Sequence, residues 1–254
     1  MKRRFLSILL VTFVAPQVCS QTEEIPRLEL TEAFPAQGKF KLPLRVGHHS
    51  TDPDVYYVVE QDGLTIEDTT FEANEATVTG GGAAVAEVTD AVFESVVFVD
   101  NIASGWDGAW GGGLLVGQSD GLTLSNSSFS RNSATTSGGA LYLEGADDAR
   151  IEDTTFASNS ASWGGSTYLS ASASVDFDDN THTGNDAWQG GGVYVAESSD
   201  VWLVDETIRS NSAEDAGGGL YCESSELYTT SVSLSGNDPD QAACDSCTGD
   251  CESF

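Results

Sequence analysis

Apolar and small residues recur along the chain with a long, nearly fixed period. Phe71-x-x-Asn74-x-Ala76 returns as Phe98/Asn101/Ala103, Phe129/Asn132/Ala134 and Phe156/Asn159/Ala161, then as His182/Asn185/Ala187 and Ile208/Asn211/Ala213. Leu234/Asn237 is a seventh copy, with Pro239 in place of the Ala. Successive asparagines lie 27, 31, 27, 26, 26 and 26 residues apart. Three residues before each apolar position stands a short polar residue: Asp68, Ser95, Asn126, Asp153, Asp179, Asp205 and Ser231. After each Ala comes a glycine pair, from Gly80-Gly81 to Gly217-Gly218, and then an apolar alternation such as Leu141-Tyr142-Leu143.

Each unit predicts three short strands separated by corners. The alternation after the glycines has the period of a strand with one buried face. Gly at the corner before it permits positive φ and a close approach of backbone. A second strand, such as Leu122-Thr123-Leu124, leads to the Asp/Asn/Ser column, and a third carries the inward Phe. The Asn is expected at a corner in left-handed geometry, with its amide bonded to the Asn of the next coil. A unit of this size cannot bury its apolar face alone, so units must stack. The fold class is all-β, a parallel β-helix solenoid of about seven coils and roughly 35 Å at ordinary strand spacing. Repeats are expected over residues 55–237, an N-terminal cap over 21–54 and a Cys-rich C-terminal cap over 238–254, since bare strand edges invite aggregation.

The F-x-x-N-x-A…G-G-[AGS] pattern resembles the polymorphic outer-membrane protein repeat, which belongs with right-handed parallel β-helices of the pectate-lyase-like kind. The resemblance covers about residues 62–237. It implies the architecture, and for function it implies either a surface adhesin or a secreted protein. Only 17 residues follow Asn237, too few for a membrane barrel, so no membrane insertion is expected.

Composition narrows the partners. The chain of 254 residues carries 40 Asp+Glu against 10 Lys+Arg, a formal charge of −30. Such a surface repels phosphate backbones and anionic bilayers, which excludes nucleic acid. Lys2, Arg3 and Arg4 followed by apolar Phe5 to Ala15 read as a signal peptide over residues 1–20, cleaved after Ser20. Cleavage leaves 40 acids against 7 bases, a charge of −33. A secreted, extracellular or cell-surface setting follows, and Cys222, Cys244, Cys247 and Cys251 are then expected as two disulfides. Zinc held by the same four thiolates is the alternative.

Candidate chemistry is sparse. Asp178, Asp179 and His182 form the best acid–base constellation, similar to the paired Asp and His of polygalacturonase-like hydrolases. The Gly-His-Gly and Arg-x-Lys elements of that family are absent. No cofactor is required by any motif. Calcium is suggested by Asp62, Asp90, Asp120, Asp148 and Asp200, which sit just before the second strand. If adjacent coils carried these charges one strand spacing apart, each pair would repel by roughly 0.9 kcal/mol in water. Trp106, Trp110, Trp163 and Trp188 cluster at the corner before the glycine pairs and are candidate binding residues for a carbohydrate or a cell-surface protein. The functional expectation is a non-catalytic interaction or adhesion module, with a polysaccharide-active glycoside hydrolase or lyase as the alternative. Oligomeric state stays open.

Overall fold

The structure, a computed structural model, describes residues 45–46, 58–59, 63–105 and 108–251. The signal peptide, most of the N-terminal cap, Asp62 and Trp106 lie outside the described residues. Every coil contributes one strand to each of three eight-stranded sheets, and all pairings within them are parallel. The phenylalanine sheet includes Thr70–Glu72, Val97–Val99, Ser128–Ser130, Thr155–Ala157, Thr181–Thr183, Thr207–Arg209 and Ser233–Ser235. The post-glycine sheet runs from Val58–Val59 through Leu141–Glu144 to Ala242–Asp245. The third sheet runs from Thr65–Glu67 through Arg150–Glu152 and Ser199–Val204 to Thr248–Gly249. Among the described residues there is no α-helix.

Alternation places the middle residue of each three-residue strand inside, and two residues of longer strands such as Leu141–Glu144 and Ser199–Val204. Phe71, Phe98, Phe129 and Phe156 stack with centroids 4.5, 4.6 and 5.1 Å apart, close to the strand spacing itself. The expected asparagine ladder is present: each Nδ2 from Asn74 to Asn211 donates to the Oδ1 of the next Asn, at 2.8 to 3.1 Å. From Asn101 onward the same Nδ2 also donates to a carbonyl of the preceding coil, such as Phe98 O for Asn132. This saturates a side chain that would otherwise cost free energy to bury. Gln241 closes the ladder by accepting from Asn237 at 2.9 Å.

The expected left-handed geometry lies one residue earlier than the sequence suggested. Ala73, Asp100, Arg131, Ser158 and Ser210, each just before an Asn, have positive φ, and the Asn residues do not. This residue reverses the chain so that the Asn after it points inward. The Asp68 to Ser231 column does adopt positive φ at its own corner, as at Asp179 (φ 55°). The glycine pairs answer a steric need. A Cβ on Gly112 would stand 2.2 Å from Gly139 O, and Gly111 before it has φ 65°.

Candidate functional site

The Asp178–Asp179–His182 constellation does not assemble. Asp178 ends a strand of the third sheet and faces outward, where it accepts from Arg150 at 2.9 Å. Asp179 is an exposed corner residue. His182 occupies the phenylalanine column, is fully buried and stacks on Phe156 at 4.7 Å. A strand's alternation sends residues of these registers to opposite faces.

His182 instead meets two residues of neighbouring coils. Its Nδ1 lies 2.6 Å from Ser166 Oγ, and its Nε2 lies 3.3 Å from Glu206 Oε2. Ser166 stands where other coils have Gly113, Ala140 or Gly192, and its hydroxyl fills space facing the imidazole. Glu206 follows the corner residue Asp205, and its Oε1 accepts from Asn180 N and Nδ2 at 3.0 and 2.8 Å. His182 Nε2 and Glu206 Oε2 otherwise have no hydrogen-bond partner. One proton on either atom joins them in a hydrogen bond. The Ser–His–Glu order imitates a hydrolase triad, but all three residues are sealed in the core. No substrate atom reaches the Ser166 oxygen without unstacking the coils.

The outer surface carries the reachable groups. Tyr142, Tyr168, Tyr194 and Tyr221 form one column on the post-glycine sheet, with ring centroids 5.4, 5.0 and 4.9 Å apart. Desolvation in this stack pushes all four phenols above the ordinary tyrosine range. The Tyr194 hydroxyl also donates to Glu223 Oε2 at 2.6 Å, which favours its neutral form further. The rings cover one another's faces, so the column presents mainly edges to solvent.

The tryptophans differ from this. Trp110 tilts onto Tyr142 at 6.5 Å and is half-buried. Trp163 and Trp188 are 38% and 49% exposed, and neither stacks on another ring among the described residues. They lie on adjacent coils one register position apart, since Trp163 bridges Gln189 and Trp188 N donates to Ser162 O. Of the three expected binding tryptophans that the described residues include, these two are the exposed ones.

The acidic column is not continuous. Asp90, Asp148 and Asp200 share a register position, with Gly121 and Ser174 between them. Asp120 lies one residue earlier, opposite Thr89. Neighbouring charges in the column are therefore two strand spacings apart, about 9.6 Å, beyond a Debye length of about 8 Å at physiological salt. Among the described residues the one convergence of metal-ligating atoms is that of the Cys222, Cys247 and Cys251 sulfurs. These are oxidised: Cys222 pairs with Cys247 and Cys244 with Cys251.

The sequence reading missed Ser166 and Glu206. Ser166 fits the small-residue position after its glycine pair, and Glu206 stands in a column that changes residue from coil to coil, so no period marks either. It also passed over Trp202 and Tyr228, stacked at 4.7 Å on the third sheet; both are aromatic at the same offset in consecutive coils.

No curated protein matches the chain. The family model described as "Right handed beta helix region" matches residues 54–238. With three parallel sheets, an unbroken asparagine ladder and that match over most of its length, the chain belongs to the right-handed β-helix family.

Proposed function

We propose that this chain is a secreted, non-catalytic interaction module whose contact surface is the corner carrying Trp163 and Trp188, and whose partner is an uncharged carbohydrate. The carrying observation is the exposure of these two indoles, 38% and 49%, neither of which stacks on another ring among the described residues. Indole faces pack against the C–H faces of sugar rings while the polar edge stays wet. The charge of −30 selects against anionic polymers, which leaves neutral glycans as the fitting class. Burial of Ser166, His182 and Glu206 supports a binding role over hydrolysis. The signal-like residues 1–20 support export.

Two exposed stacking contacts correspond to a dissociation constant on the order of 1 mM. A glycan-array screen of the protein and of Trp163→Ala and Trp188→Ala, followed by fluorescence titration of each hit, tests this. Both substitutions should weaken binding to a neutral oligosaccharide severalfold with the melting curve unchanged. Retention of full affinity in both, or binding to immobilised cell-surface protein and to no glycan, would refute it.

A further inference from the structure

A second aromatic surface lies on the third sheet and has different surroundings. Its outward column runs Arg150, Asp176, Trp202, Tyr228 through four consecutive coils. Arg150 is bridged by Glu152 at 2.7 Å and Asp178 at 2.9 Å while its side chain stays 48% exposed. This face therefore already holds one guanidinium between carboxylates. One coil further, Asp176 lies in register beside Arg150 and its charge acts on that guanidinium, but its carboxylate accepts no side-chain hydrogen bond among the described residues.

Trp202 is 37% exposed and is fixed in two ways. Its Nε1 donates to Asp200 Oδ1 at 2.8 Å, and one ring face stacks on Tyr228. The opposite ring face is turned toward the preceding coil, where its register partner is Asp176. A cation above that face meets the indole π-cloud and a carboxylate together. A planar guanidinium suits this space better than an ammonium, because it stacks and forks at once. Beyond Arg150 the outward positions Asp178, Val204 and Thr230 add no competing cation.

We infer that the Asp176–Trp202 face of the third sheet is a docking surface for an arginine-rich peptide segment of a partner protein. The evidence is charge complementarity together with Arg150 as an intramolecular example of the bound group. The surface is independent of the Trp163/Trp188 corner and of the carbohydrate reading. The negative field of the whole chain steers such a peptide toward the protein, and the Asp176–Trp202 pair supplies the local discrimination.

The test is a titration of the full chain with N-acetylated tetra-arginine amide in about 50 mM salt, where exposed charges act over a longer Debye length. Trp202→Ala and Asp176→Asn should each weaken binding about three- to tenfold. Asp90→Asn, which removes the same charge from a distant coil, should leave it unchanged, as should Trp163→Ala. Trp202→Phe keeps a ring on Tyr228 and should fall between wild type and Trp202→Ala, which guards against a folding artefact. Tetra-lysine should bind more weakly than tetra-arginine. An equal loss in Asp90→Asn and Asp176→Asn means diffuse polyanion attraction and overturns the assignment, as does unaltered affinity in Trp202→Ala.

Discussion

Removing one partner of the buried His182–Glu206 pair should cost more than replacing both. In His182→Phe the column regains the ring that Phe156 carries one coil earlier, but Glu206 Oε2, which has no hydrogen-bond partner among the described residues, loses the imidazole 3.3 Å away. A buried carboxylate stripped of its partner costs about 3–5 kcal/mol. In Glu206→Asn the shorter side chain can still accept from Asn180, as Asn180 does from Thr154 N, yet His182 Nε2 is orphaned. An unsatisfied buried polar atom costs about 1–3 kcal/mol. The double variant His182→Phe/Glu206→Asn removes both orphans and extends the short Asn180 ladder by one coil. It should lie within about 1.5 kcal/mol of wild type, as volume-tolerant core swaps do. The coupling in the cycle is then at least about 2.5 kcal/mol. Urea unfolding of all four proteins, followed by far-UV circular dichroism, measures it. Glu206→Gln is a further control, since its amide can donate to Nε2 while keeping the Oε1 contacts. Additive losses, or a harmless His182→Phe, would show that the two side chains do not depend on each other.

Three further outcomes follow from other parts of the molecule. The stacked tyrosines keep their phenolic protons when the unfolded chain loses its own, so their contribution to stability should be constant below about pH 10 and fall above it; tyrosinate absorbance rising in step with loss of the β signal checks this. Gly165→Ala places a Cβ 2.5 Å from both Gly191 O and Asp186 O, so the coils must part, and a markedly lower melting temperature is expected; a normal one contradicts the stacking. The Cys222–Cys247 bridge closes a separation of 25 residues, worth about 3.5 kcal/mol in the chain-entropy account; Cys222→Ala/Cys247→Ala should lose stability and show faster hydrogen exchange in the last coil, and unaltered exchange there would remove the bridge from its capping role.

Much of the fold is legible in the sequence because backbone geometry dictates it. Glycine pairs have no substitute where carbonyls approach to within contact of a missing Cβ, and an Asn that bonds to its own kind must recur in every coil. That register also places His182 inside and Asp179 at a corner. Other features escape it. The residue after the Asp205-type corner is Thr69, Val96, Ser127, Thr154, Asn180, Glu206 or Val232, so buried polarity there has no period. The offset of Asp120, by contrast, is open to counting: it stands 12 residues before its Asn, against 11 for Asp90, Asp148 and Asp200, and the extra residues of the long coil fall before Trp110 and leave this register untouched. The left-handed residue before each Asn is Ala73, Arg131 or Ser158 as readily as Gly184, and those types carry no turn signature. Exposure of Trp163 and Trp188 depends on what packs beside them in the folded coils, which no repeat position encodes.

Affinity electrophoresis in gels containing a neutral polysaccharide tests the central claim most directly, because a chain of charge −30 migrates fast unless held. Wild type should be retarded, Trp163→Ala/Trp188→Ala should run as in plain gel, and polymer recovered from the retarded band should keep its length. Shortened polymer, or equal retardation of the double variant, would contradict a non-catalytic tryptophan contact.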